Sequence, residues 1–349
     1  MNPIRVIVID DSAFMRKVIS DLLTSDPRIE VIATARNGQD GLEKIKQLNP
    51  DVVTLDIHMP VMDGITALKE LMQSHPTPVV MLSSATEDAS IKTIQAISSG
   101  AVDFIAKPSG AISIDIATMK QEIIDKVVTA SQVSLPLQQK EIVKQPSAVV
   151  KQTIPAVKHK QTIVAIGTST GGPRALEHII QRLPKNLAAS VLIVQHMPAG
   201  FTKSLAQRLN QKAALMVKEA EDGELLENGV IYIAPGGFHM KVKKVGTSLF
   251  IDLTTEAALR GHRPSVDMLF TSLAQVKEVN KVAVVLTGMG NDGANGIKEL
   301  KKMDQHTYVI AESEETAIVY GMPKAAVRTN YVNKQAPLGE MSNLITNLV

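Results

Sequence analysis

Ser169 stands in the run Gly167-Thr168-Ser169-Thr170-Gly171, between the apolar stretch Ile163–Ile166 and an amphipathic stretch opened by Pro173. Gly-x-Ser-x-Gly between a strand and a helix is a setting in which a tight turn exposes a serine hydroxyl as a nucleophile. Glycine-rich turns of this kind also cradle phosphate or a dinucleotide, and more often so. A dinucleotide unit, however, needs Gly-x-Gly-x-x-Gly and an acid near the end of the next strand to hold the ribose hydroxyl. Here Ser169 takes the place of the second glycine, and the next apolar run, "SVLIVQ", ends in Gln195 and His196 with no acid. A serine hydroxyl is a weak nucleophile at neutral pH, so it needs a base to take its proton and an acid to orient that base. His196 is the candidate base. Asp292, in the glycine-rich turn of "VAVVLTGMGNDG", is the candidate acid. Glycines at both turns let backbone N–H groups approach a developing oxyanion, where one donor is worth roughly 10² to 10³ in rate. His239, after the "VIYIAPGG" strand, and His262, in "RGHRPSVD", are the alternative bases near the cleft, whereas His178 falls on a helix face. His58, His75, His159 and His306 read as surface residues, and no His/Asp/Glu spacing marks a zinc site.

A second set lies near the N-terminus. Asp10 and Asp11 follow the first apolar run, Asp56 the third, Ser83 and Ser84 the fourth, and Lys107 the fifth. Three carboxylates gathered from two strand ends repel one another, and a hard divalent cation such as Mg²⁺, which takes oxygen ligands and phosphate co-ligands, relieves that repulsion. With a lysine and a hydroxyl opposite, the set suits phosphoryl transfer to a carboxylate. A simpler reading treats Asp10, Asp11 and Ser12 as the charged start of a helix. It accounts for one strand end and leaves the other three unexplained.

Both sets require strands that deliver residues to one edge of a sheet. In residues 1–128, "IRVIVI", "IEVIAT", "DVVTL", "PVVML" and "VDFIA" alternate with helical patterns; from residue 161 the rhythm resumes with "TIVAIG", "SVLIVQ", "VIYIAP", "KVAVVLTG" and "TYVIAE". Near-continuous apolar strands interleaved with helices indicate parallel sheets covered on both faces. The fold class expected is α/β: a five-stranded doubly wound parallel domain over 1–128, and a larger Rossmann-like doubly wound domain over 161–349. In such sheets functional groups gather beyond the carboxyl ends of the strands, near a topological switch point. Residues 129–160 read as a flexible linker. Within it, 131–160 holds five glutamines, three prolines and no glycine, and five lysines against one glutamate give it +4 where the whole chain carries +2.

Composition excludes several classes. The chain is 44% hydrophobic and 21% charged, with no apolar stretch approaching the roughly 20 residues of a bilayer-crossing helix. The start, "MNPIRVIVIDDS", reads as an opening strand and not a secretory signal, and there is no cysteine, which together point to the cytoplasm. With 3% aromatic residues and no dense basic stripe, a nucleic-acid partner is not expected. A transcriptional output domain would need a recognition helix, which 161–349 does not suggest; a nucleotide-dependent enzyme would need the ribose anchor that is missing.

"VIDDS", "LDIHMPVMDG", "MLSSAT" and "DFIAKP" resemble the receiver domain of response regulators over residues 3 to about 125. The resemblance implies that Asp56 accepts the phosphoryl group, that Asp10 and Asp11 help hold Mg²⁺, that Ser83 or Ser84 senses it, that Lys107 contacts it, and that Phe104 is the switching aromatic. His58 departs from the acidic or amide residue expected two places after the acceptor. "GTSTGGP", "QHMPAGFT", "EAEDGE", "IAPGGFHM", "HRPSVDMLF", "TGMGNDGANG" and "YGMPKAA" are similar to the chemotaxis receptor-glutamate methylesterase family. That resemblance implies hydrolysis of glutamyl methyl esters on chemoreceptors, deamidation of particular receptor glutamines, and phosphate supplied by a chemotaxis histidine kinase. It implies Ser169 as nucleophile, His196 as base and Asp292 as orienting acid, Thr170 and Met289 at the oxyanion site, and Arg263 and Met197 along the cleft, with no cofactor for ester hydrolysis. It also implies that the unphosphorylated receiver blocks the esterase cleft. Relieving such a block from 1:99 to 99:1 takes about 5.5 kcal/mol of differential stabilisation.

Overall fold

A computed structural model of the chain describes residues 2–84, 86–107, 112–133 and 161–349. The chain forms two compact units that divide between residues 140 and 141. Among the described residues no helix is long and apolar enough to cross a membrane.

The first unit alternates β1 (Ile4–Ile9), α1 (Ala13–Thr24), β2 (Ile29–Ala35), α2 (Gly38–Leu48), β3 (Val52–Asp56), α3 (Gly64–Ser74), β4 (Val79–Ser83), α4 (Glu87–Ser98), β5 (Asp103–Ala106) and α5 (Ile112–Ala130). Its sheet is parallel throughout, in the order β2-β1-β3-β4-β5. The five expected strands are all present. Val52–Asp56 and Val79–Ser83 are buried along their whole length, which is why they read as continuous apolar runs. Helix starts follow local capping chemistry: the side chains of Ser12, Asn37, Asp63 and Thr86 each accept the N–H three residues on. Helix α5 runs through Ala130; of the expected linker 129–160, residues 134–160 lie outside the described residues.

The second unit contains β6 (Thr162–Thr168), α6 (Gly172–Ile180), β7 (Ala189–Gln195), α7 (Phe201–Asn210), β8 (Met216–Glu219), β9 (Val230–Ile233), β10 (His239–Val245), β11 (Ser248–Thr254), α8 (Val266–Gln275), β12 (Asn280–Val285), α9 (Ala294–Met303), β13 (Tyr308–Glu312), α10 (Met322–Val327), β14 (Lys334–Ala336) and α11 (Leu338–Asn347). Seven parallel strands run in the order β14-β13-β12-β6-β7-β9-β8, and β10 and β11 form a separate antiparallel pair. The five expected strands correspond to β6, β7, β9, β12 and β13. Short β8 and β14 sit at the two sheet edges, and β10 carries three lysines in "HMKVKKV", so none of them shows a buried parallel-strand pattern. The chain leaves β6 toward β7 on one side and later returns to β12 on the other, so the switch point lies at β6. Val194, Phe270, Val285 and Ile297 belong to the core beside it.

Candidate active site

Register brings the catalytic candidates to one level. Gly167 of β6 pairs with Val194 of β7 on one side and with Val285 of β12 on the other. Two residues beyond each of these stand Ser169, His196 and Thr287. Backbone bonds carry the alignment past the strand ends: Ser169 N donates to Thr287 O at 3.1 Å, and His196 N donates to Thr168 O at 3.1 Å. Gln195 Nε2 also donates to Ser169 O at 3.0 Å, tying the two turns together.

The turn at Ser169 is tight because the chain reverses from strand into helix within a few residues. Gly171 caps α6 at φ 79°, in the left-handed region that a side chain rarely adopts, and Pro173 opens the helix. Across from it, a Cβ on Gly288 would lie 2.8 Å from Ser169 Cβ and 2.4 Å from Met322 Sδ. Glycine at 288 is therefore what lets the turn after β12 approach the serine.

His196 directs Nε2 at Asp292 Oδ2, 2.8 Å away. Its Nδ1 is buried and has no hydrogen-bond partner among the described residues. Asp292 is held by four further donors, all at the start of a helix: Ser265 Oγ at 3.0 Å, and the N–H groups of Val266 at 2.7 Å, Asp267 at 2.9 Å and Gly293 at 3.0 Å. Burial by itself raises this carboxyl. The hydrogen bond and charge of His196, with the N–H groups of Asp267 and Val266, outweigh it and hold Asp292 down to about 2. Such a carboxylate stays ionised and fixes the nitrogen facing it as a donor.

The other candidates separate in space and partner. His262 stacks on His196 with ring centroids 3.9 Å apart and planes 8° from parallel. His239 is fully buried with Nε2 3.2 Å from Ala257 O, and burial lowers its ring's pKa. His178 lies within α6, as expected, while His75 and His306 are exposed and His159 lies outside the described residues. Thr170 is buried, with its carbonyl accepting from Thr287 Oγ1 at 2.9 Å, and Met289 adjoins Gly288 in the turn facing Ser169. Met197 is buried, and exposed Arg263 donates from Nη1 to the carbonyls of Thr255 and Glu256 at 3.0 Å each. Ser265, Thr287 and Glu312 lie inside the runs quoted above, but their residue types carried no chemistry that marked them out. Glu312 is fully buried beneath the turn, accepting from Thr287 N at 2.8 Å and Thr316 Oγ1 at 3.0 Å, and burial raises its carboxyl.

The acidic set in the first unit is gathered in the same way. Ile9 pairs with Leu55, which levels Asp10 with Asp56, and Lys107 N donates to Ser83 O at 2.6 Å. Lys107 Nζ bridges Asp10 Oδ2 at 2.7 Å and Asp56 Oδ1 at 2.8 Å. Burial and the nearby Asp10 charge raise the Asp56 carboxyl against the pull of Lys107. Asp10, Asp11 and Asp56 each offer an oxygen within 4.8 Å of the others, with Asp11 exposed, which is an all-oxygen donor set fit for a hard divalent cation. Asp10 serves both readings: Oδ1 accepts from Ser12 N at 2.9 Å, where Ser12 caps α1, while Oδ2 meets Lys107. Ser83 is fully buried and takes a 2.7 Å bond from Thr93 Oγ1 of α4, while Ser84 lies past the strand end, half-exposed, 3.4 Å from Thr86 Oγ1. Phe104 is buried with Lys126 Nζ 5.2 Å above its ring. His58 sits 3.1 Å from Lys92 Nζ and 3.5 Å from Asp88 Oδ2.

Both units are similar to known proteins. Residues 164–345 match the family model described as CheB methylesterase, and residues 6–118 match that of the response regulator receiver domain. A protein of Oceanobacillus iheyensis named protein-glutamate methylesterase/protein-glutamine glutaminase is 55% identical over 349 residues, covering 99% of each chain. One of the same name from Geobacillus kaustophilus is 52% identical, over 100% of this chain and 99% of its own. The crystal structure of the Thermotoga maritima CheB methylesterase catalytic domain matches with a TM-score of 0.52 at 43% identity, covering 55% of this chain and all of that one. With the strand-end serine, histidine and aspartate in one sheet and the acidic cluster in another, the chain belongs to the CheB methylesterase family and carries a response regulator receiver domain.

Proposed function

We propose that this chain hydrolyses glutamyl methyl esters on chemoreceptors, releasing methanol, and deamidates specific receptor glutamines, under control of phosphorylation at Asp56 by a chemotaxis histidine kinase. The observation that carries the reading is the 2.8 Å bond from His196 Nε2 to Asp292, level with Ser169 on the adjoining strand end. The names of the relatives support the substrate class.

In this reading Asp292 keeps the proton on Nε2, so Nδ1 is the basic nitrogen. Nδ1 takes the proton of Ser169 Oγ as the oxygen attacks the ester carbonyl. The carbonyl electrons move onto oxygen, where backbone donors at Thr170 and Met289 stabilise the charge. Collapse of the tetrahedral intermediate expels methoxide, which takes the proton from His196 and leaves as methanol. Water then attacks the glutamyl-serine ester with the same base, returning Ser169 and a receptor carboxylate. For a glutamine side chain the leaving group is ammonia. No cofactor enters these steps.

Asp10, Asp11 and Asp56 would hold Mg²⁺ in the receiver, where the cation offsets the charge of an incoming phosphoryl group. Lys107 then contacts the phosphoryl oxygens, Ser83 or Ser84 senses them, and Phe104 carries the switch, while His58 leaves the backbone carbonyl at its position as the usable ligand. An aspartyl phosphate adds negative charge where one carboxylate stood, enough to reposition a hydroxyl and an aromatic. The working division is a receiver over 1–128, a linker over 129–160 and a catalytic domain over 161–349, acting in the cytoplasm without membrane insertion or nucleic acid.

The test is methanol release from methyl-labelled receptor membranes by the full chain, with and without a small-molecule phosphodonor. Ser169→Ala should abolish release and leave Asp56 phosphorylation intact, and Asp56→Asn should hold the basal rate whether or not donor is present. Substantial turnover by Ser169→Ala would assign the nucleophile elsewhere.

A further inference from the structure

His262 lies against His196 as a parallel ring 3.9 Å away, and the chemistry above leaves it without a task. A single hydrogen bond from Nε2 to Asp292 fixes one atom of the His196 ring. The ring can still swing about that bond, and a swing moves Nδ1. A flat neighbour in van der Waals contact removes that freedom, since rotation would drive one ring into the other.

The stacking residue is itself firmly held. Leu259 and His262 exchange both N–H···O bonds at 3.0 Å, with Arg260 at φ 53° and Gly261 at φ 82° turning the chain between them. Immediately after, Gly237 N donates to Arg263 O at 3.0 Å. Next come Ser265, Val266 and Asp267, whose hydroxyl and N–H groups bind Asp292. One short segment, residues 259–267, thus grips the orienting acid with its second half and covers the base with its first.

We propose that His262 is a positioning residue: its ring fixes the plane of His196 so that Nδ1 stays aimed at the nucleophile. The role rests on the esterase reading. It needs the flat shape of residue 262 and none of its acid–base chemistry. Small errors of placement at a reacting centre are costly, of the order of 10²-fold for about 1 Å.

The experiment first establishes Ser169-dependent methanol release by the full chain from methyl-labelled receptor membranes; without it the esterase reading itself fails and the stack is not at issue. His262→Ala, His262→Leu and His262→Phe are then compared by kcat and KM. His262→Ala and His262→Leu should lose about 10- to 100-fold in kcat with KM within about twofold, and His262→Phe should return to within about threefold of the original kcat. Selective ¹⁵N labelling of histidine gives the second readout: the His196 ring should keep the tautomer that Asp292 sets in every variant, with ring signals sharp in His262→Phe and broadened by conformational exchange in His262→Ala. Three results would overturn the proposal: wild-type kcat in His262→Ala, equal activity of the Leu and Phe variants, or a Phe variant as poor as Ala. The last would assign an acid–base role to the His262 imidazole.

Discussion

His196 meets Asp292 through Nε2, at 2.8 Å, and keeps Nδ1 for the other side of the ring. An orienting acid acts by holding one tautomer, so Asp292→Asn should leave the shape of the turn and remove the preference. Expected is a fall of about 10³ to 10⁴ in kcat with little change in KM. Methanol release under saturating receptor measures it. A loss smaller than about tenfold would mean that Asp292 does not set the tautomer.

The same carboxylate makes stability depend on pH. Its folded value of about 2 lies below the ordinary 3.8, so its stabilisation is complete above that ordinary value and is lost as pH falls through the folded one. The depression corresponds to roughly 2 kcal/mol. Wild type should therefore exceed Asp292→Asn in denaturant stability at about pH 5, and the gap should narrow by about pH 2.5. Urea titrations of the two proteins at both pH values check the sign. A gap that stays constant would show that the carboxyl is not held down.

Lys107 sits between Asp10 and Asp56, at 2.7 and 2.8 Å, where the two carboxylate side chains are 0% and 6% exposed. Lys107→Ala leaves those charges buried against each other. We expect a loss of about 3 kcal/mol at neutral pH, shrinking as acid protonates Asp56, whose carboxyl burial already raises. Millimolar Mg²⁺ should recover part of it, because the three acids share an oxygen donor set. Thermal melting of the variant with and without Mg²⁺ is the measurement, and a midpoint indifferent to Mg²⁺ would remove the cation site.

Gly288 has no room for a side chain. In Gly288→Ala the new methyl meets Met322 Sδ at 2.4 Å and Ser169 Cβ at 2.8 Å, so either the sulfur or the serine must move. Overpacking of this kind costs about 1–3 kcal/mol. A displaced nucleophile should lower kcat by at least about tenfold. Melting temperature and methanol release report the two effects separately, and a variant normal in both would show that the turn is more yielding than its packing implies.

The placement of Ser169, His196, Asp292, Asp10, Asp56 and Lys107 at or beyond strand ends could be read from the chain alone because each follows an apolar run, and a buried parallel strand announces itself by continuous hydrophobicity. The glycines beside them marked turns for the same local reason. Lysine-rich β10 and three-residue β14 left no such mark, since an antiparallel hairpin and a short edge strand need little buried surface.

What the amino-acid order determined by itself was the set of strand ends and the residue types placed there, because strand, turn and cap signals all act over a few neighbouring residues. Only the tertiary structure decided which ring nitrogen of His196 meets Asp292, 96 residues further along the chain. It also decided that helix-start donors clamp that acid, and that the His262 ring lies flat on that of His196. Those relationships depend on inter-strand register and on side-chain packing across the switch point, and neither leaves a trace in local periodicity.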